Sequence, residues 1–262
     1  MTYKDISARF FGVEVEMSTD FEIVQRDMKK SKVFPPNTKY STGFGKVETD
    51  GKRFFLMIDG STETEFVTPK LFLESIQYPH FQKMVQFFND QEYAITNDDG
   101  LHIHVDCADV HPDQVLTAWL YIESKIKTAF PYNRRKFNTY SYSFPFCREY
   151  TQKPLMHSFQ RVKLSHKEKD HHAACSFFSY NSRKDVEFRF MEGSLNMKDI
   201  EYWIKFCLYF VEFAKHIEVL DILQESAFAP KDSFEDLLEQ MDIKDKRLVK
   251  WLNFREEKFK LK

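Results

Sequence analysis

Several short stretches of the chain alternate apolar and polar residues with a period of two, the pattern of half-buried β-strands. FGVEVEM at 11–17 predicts a strand with Val13 and Val15 on one face and Glu14 and Glu16 on the other. Two further strands are predicted at 53–58 and 63–67, broken by Asp59-Gly60-Ser61, and the second puts Glu63 and Glu65 on one face. LHIHVD after Gly100 sets His102, His104 and Asp106 against Ile103 and Val105. In VEFRF at 186–190, Glu187 and Arg189 oppose Val186, Phe188 and Phe190.

Between these strands the period changes to that of helices. Residues 19–31 carry a weak helical period, and residues 35–51 are rich in proline and glycine, which marks loops. Leu73, Ile76, Phe81, Met84, Val85 and Phe88 predict a helix over about 71–89, with a break or a second start at Pro79. Pro112 stands where a first turn would begin, and the helix that follows, 115–130, stops at Pro131. Helices are also predicted at 197–216, 232–241 and 245–258. Strands and helices without βαβ alternation argue for an α+β class, in one domain spanning 1–262 with helices closing the chain from about 232.

Composition narrows the class of partner. The net charge of -2 provides no global field toward nucleic acid or a membrane surface, so neither is expected as a partner. The 28 phenylalanines belong in the core and on the backs of strands. Cys107, Cys147, Cys175 and Cys207 are widely spaced without a CxxC pair, which predicts free thiols in a reducing compartment. With no signal-like N-terminus and no run of membrane-spanning length, the expected location is the cytoplasm.

The polar faces carry the chemistry. Residues two apart on a strand project from the same side, roughly 6.6–7 Å apart. Alternation alone is what any half-exposed strand shows. These faces, however, select carboxylates, imidazoles and one guanidinium where exposed strands favour Thr, Ser and Lys. If they converge, the carboxylates repel one another and their pKa values rise, a cost that a divalent cation removes. Carboxylates with an imidazole among them suit Mg²⁺ or Mn²⁺, whereas zinc would call for a compact His/Cys set.

FGVEVE, DGSTETEFVTP, GLHIHVD and VEFRFMEGSLN, in this order and followed by a helix containing Trp203, resemble the amidoligase family of glutamine synthetase-like carboxylate–amine ligases. The resemblance covers about residues 9–215, and PYNRRKFNTY also resembles the family's stretch after the central helix. It implies a curved antiparallel sheet with the site on its concave face and helices packed on its convex face. It implies ATP as co-substrate, a carboxylate substrate and an amine donor, which could be an amino acid, a peptide or a protein side chain. Carried over residue by residue, it makes Glu14, Glu16, Glu65, His102 and Glu187 metal ligands and turns Arg189 toward the transferring phosphoryl group or the substrate carboxylate. His104 and Arg134 or Arg135 would line the substrate or phosphate side, and Asp59 would hold or deprotonate the attacking amine.

Residues 17–52 and 151–175 depart from the family pattern. The second stretch is basic and His-rich and reads as a solvated loop, with a lid over phosphates as the sharper alternative. Gly43-Phe44-Gly45-Lys46 lacks the full Walker spacing and reads as a turn. Two rival functions share the same residues: a metal-dependent hydrolase working without nucleotide, and a non-catalytic binding protein that keeps the fold.

Overall fold

Alternation at 11–17 becomes β1 (Phe11–Met17), with Phe11, Val13, Val15 and Met17 sealed in the core. The computed structural model describes residues 6–35, 37–42, 52–58, 62–96, 98–131, 174–177, 180–217 and 234–260. Along them follow α1 (Phe21–Ser31), β2 (Lys39–Ser41), β3 (Phe55–Met57), β4 (Thr64–Val67), α2 (Tyr78–Asp90) and β5 (Gly100–Asp106). Next come α3 (Pro112–Ile126) with a 3₁₀ turn at Lys127–Ala129, β6 (Cys175–Ser176), α4 (Tyr180–Arg183) and β7 (Asp185–Glu192). The described elements close with α5 (Met197–Lys215), α6 (Phe234–Gln240) and α7 (Lys246–Lys260). The class is α+β.

Local chemistry sets the helix ends. Asp20 caps α1 by accepting from the Glu22 and Ile23 amides, and Lys32 ends the helix with φ 55°, a left-handed cap. His111 caps α3, with Gln114 reaching back to the His111 amide and Pro112 in the first turn. The helix predicted over 71–89 begins only at Tyr78. Pro79 occupies its first turn, where a missing N–H costs nothing, so proline starts this helix rather than breaking it.

The chain divides into two compact units. One comprises Ser7–His104 and Met191–Ile204, with strand order β2-β3-β4-β1-β5. β4 runs antiparallel to both β1 and β3, while β2 and β3 pair in parallel. Behind this sheet, Phe54 stacks on Phe66 at 5.8 Å and Phe66 meets the edge of Phe88 of α2 at 5.1 Å. Val24 and Met28 of α1 are buried, as are Phe81, Met84 and Val85 of α2.

The other unit comprises Met1–Ile6, Val105–Phe190 and Lys205–Lys262. There β6 lies antiparallel on β7, and the Cys107 amide at the end of β5 donates to the Lys184 carbonyl at 2.7 Å. Trp119 of α3 is fully buried against Phe188 and Phe190 of β7 and Phe210 of α5, at 5.4–5.6 Å between centroids. Cys107, Cys175 and Cys207 are buried free thiols, and Cys147 lies outside the described residues. Among the described residues no helix is long and apolar enough to cross a membrane.

Candidate metal centre

Registry between β1 and β4 puts Glu16 directly opposite Glu65 and Glu14 directly opposite Val67. Directly opposed residues share a sheet face, so one face carries Glu14, Glu16 and Glu65. Met57 of β3 lies opposite Glu65 on the other side, and Phe55, Met57 and Val67 form a small buried apolar cluster beside the acids. Glu16 and Glu65 are themselves buried, at 5% and 8% exposure.

β5 supplies the imidazoles, with Leu101, Ile103 and Val105 in the core and His102 and His104 on the opposite face. His104 Nε2 lies 2.9 Å from Glu14 Oε1. His102 stands between two carboxylates, Nδ1 at 3.4 Å from Glu14 Oε2 and Nε2 at 3.7 Å from Glu16 Oε1. Gly12 precedes this row on β1, and a Cβ there would meet the His104 Cβ at 3.8 Å, an ordinary van der Waals contact.

Glu14, Glu65 and His102 each offer a ligand atom, and the three atoms lie within 4.8 Å of one another. Two carboxylate oxygens and one ring nitrogen fit a hard divalent cation such as Mg²⁺, with the nitrogen acceptable to Mn²⁺. Glu16 is held differently, its Oε2 accepting from the Gly100 amide at 2.5 Å.

At Glu14 the electrostatics differ from the expectation of a raised pKa. Burial opposes ionisation of Glu14, but the charge of His104 and hydrogen bonds from both histidines outweigh it. The Glu14 carboxyl is held well below the usual carboxylate range. Alternation on β1 and β5 showed that acids and imidazoles each line a face, but the contact between the two rows depends on strand order.

Glu187 and Arg189 lie in the other unit, both buried on β7, and the Arg189 guanidinium donates to the Glu187 carboxylate. Ser176 of β6 is the register partner of Glu187, and the Arg189 amide donates to the Ala174 carbonyl at 2.8 Å. Glu63 falls outside β4 and is exposed, because the strand begins one residue later than predicted. Asp106 accepts from the Ala108 amide at 3.0 Å in the turn after β5. Asp59, Arg134 and Arg135, and the stretches 43–46 and 151–173, lie outside the described residues.

Search of the curated proteins returns no match to this chain. A family model described as putative amidoligase enzyme matches residues 7–211, a span that includes every strand among the described residues. The chain therefore belongs to that amidoligase family.

Proposed function

We propose that this protein is an ATP-dependent carbon–nitrogen ligase that joins a carboxylate to an amine, on a glutamine synthetase-like fold. The observation that carries the reading is the pair Glu16 and Glu65, two buried carboxylates set face to face across adjacent strands. Like charges directly opposite destabilise a sheet, and a divalent cation offsets that cost. Family membership gives the direction of the chemistry.

On this reading Glu14, Glu65 and His102 would hold Mg²⁺ or Mn²⁺ with Glu16 beside them, and the family resemblance adds Glu187 as a further ligand. When bound, the cation neutralises the polyphosphate of ATP. An oxygen of the substrate carboxylate attacks the γ-phosphorus, ADP leaves, and an acyl phosphate forms. The neutral amine then attacks the carbonyl carbon, phosphate departs, and the amine nitrogen gives up a proton. Arg189, seated on Glu187, supplies fixed positive charge to the transferring group. Asp59 takes the proton, and His104 keeps Glu14 in place as well as facing the substrate side. Arg134 or Arg135 completes the phosphate side. Free thiols in the interior suit a cytoplasmic location.

The test is release of ADP with Mg²⁺ or Mn²⁺ across a panel of amino acids, polyamines and peptides, with mass analysis of the product. Stoichiometric ADP, phosphate and amide are expected. Turnover of an amide without nucleotide would favour a hydrolase, and failure to bind both the metal and a non-hydrolysable ATP analogue would favour a binding protein.

A further inference from the structure

The Glu16 carboxylate is aimed by a peptide group, and that peptide group is itself pinned. Gly100 N–H donates to Glu16 Oε2 at 2.5 Å. The same peptide unit carries the Asp99 carbonyl, which accepts from the Gly193 amide at 2.7 Å. A planar trans peptide directs its C=O and N–H to opposite sides, so fixing the carbonyl on Gly193 aims the N–H at Glu16. Gly193 is required for this approach: a Cβ there would lie 2.8 Å from Ile95 Cγ2 and 2.9 Å from Asp99 Cβ.

The Asp99 side chain holds the other end. It is 3% exposed, and three donors converge on its Oδ2: the Ser18 hydroxyl at 2.8 Å, the Thr96 amide at 2.6 Å and the Thr96 hydroxyl at 3.1 Å. Ser18 lies two residues beyond Glu16, and Thr96 lies in the segment leading to Gly100. The carboxylate thus staples the end of β1 to the start of β5, with the Glu16–Gly100 bond inside the staple. A carboxylate oxygen suits this position because it accepts, and the three groups around Oδ2 donate.

We propose that Asp99 is a positioning residue for Glu16, holding the Gly100 amide where it restrains one carboxylate oxygen and leaves the other toward His102 and the metal face. The inference rests on the reading of Glu16 as a metal ligand. Without the restraint, repulsion from Glu65 would turn Glu16 away from that face.

The experiment compares wild type, Asp99→Asn, Ser18→Ala and Glu16→Ala by two measurements on the full chain. One is the Gly100 amide proton shift in the metal-free protein, and the other is Mn²⁺ affinity by calorimetric titration with MnCl₂. Asp99→Asn should move the Gly100 proton upfield toward its position in Glu16→Ala and weaken Mn²⁺ binding by about ten- to a hundredfold, the usual effect of removing an outer-shell partner. Ser18→Ala should move both in the same direction by less, and it decides the matter if Asp99→Asn does not fold. A lower unfolding midpoint with the Gly100 shift and Mn²⁺ affinity unchanged would assign Asp99 a merely structural role and overturn the proposal. If Glu16→Ala itself binds Mn²⁺ like wild type, the ligand reading of Glu16 fails and the proposal fails with it. Weak binding in Glu16→Ala beside intact binding in Asp99→Asn would overturn the Asp99 proposal alone.

Discussion

Glu16 of β1 and Glu65 of β4 are direct partners in an antiparallel register, and both are buried. Taken alone, a pair of carboxylates so placed does not stabilise a sheet. Cross-strand pairs contribute roughly 0.2–1 kcal/mol when complementary, and like charges directly opposite are destabilising.

Glu65→Gln should therefore separate stability from binding. In the metal-free protein it is expected to raise stability by about 0.5 kcal/mol, since one member of a repelling pair becomes neutral at nearly constant shape. The same change should weaken Mn²⁺ binding at least about tenfold, because a charged oxygen ligand is lost. Chemical denaturation without metal and calorimetric titration with it measure the two effects. A less stable apo-protein with unchanged Mn²⁺ affinity would remove Glu65 from the site.

Acid should act on Glu14 later than on an ordinary carboxylate. Its folded-state pKa lies below the ordinary value of 4.5, so the stability it contributes is complete above that value and is lost as pH falls through the depressed one. His104→Gln removes the imidazole charge and should shift the Glu14 titration upward, with part of the acid loss appearing at higher pH. Carboxyl ¹³C shifts of the metal-free protein report it directly, and a downward or absent shift would contradict the assigned cause.

Gly193→Ala is expected to cost about 1–3 kcal/mol, the range for overpacking a tight site. The new Cβ would meet Ile95, Asp99 Cβ and, at 3.2 Å, the Asp99 carbonyl oxygen. Denaturant unfolding measures it, and stability within error of wild type would mean that the loop yields freely.

Arg255 of α7 belongs to the unit that does not carry Glu16 and Glu65. Only 3% exposed, its guanidinium lies 5.0 Å from the rings of Phe130 and Trp251 and 5.1 Å from Phe259, and Nε donates to the Ala129 carbonyl at 3.0 Å. Arg255→Lys should lose about 1–3 kcal/mol, since an ammonium cannot lie flat among rings and bond the carbonyl together. The position falls outside the 7–211 family span, so thermal unfolding should register the change more than Mn²⁺ affinity does. A large loss of affinity with unchanged stability would contradict this.

Much of the fold was legible without coordinates. Apolar alternation at 11–17 and 100–106 marked β1 and β5, because one face of each strand had to be buried. Apolar spacing and prolines marked the longer helices within a few residues, while the four-residue α4 carried no such signal. Among the longer helices the exception was 71–77, where apolar spacing continued upstream of Tyr78 and the helix did not: Pro79 supplies a start there, and the Ser75 hydroxyl accepts from the Tyr78 amide at 3.2 Å.

The site divides along the same line. Strand periodicity, a local property of the backbone, was enough to say that Glu14 shares a face with Glu16 and His102 with His104. It could not say that Glu16 faces Glu65, that His104 reaches Glu14, or that the Gly100 amide takes an oxygen of Glu16. Those relationships join residues 49 to 90 positions apart along the chain, and strand order and register decide them. Which residues face the same way was written in the sequence; which of them meet was settled only when the strands paired, because registry is a property of two strands and periodicity of one.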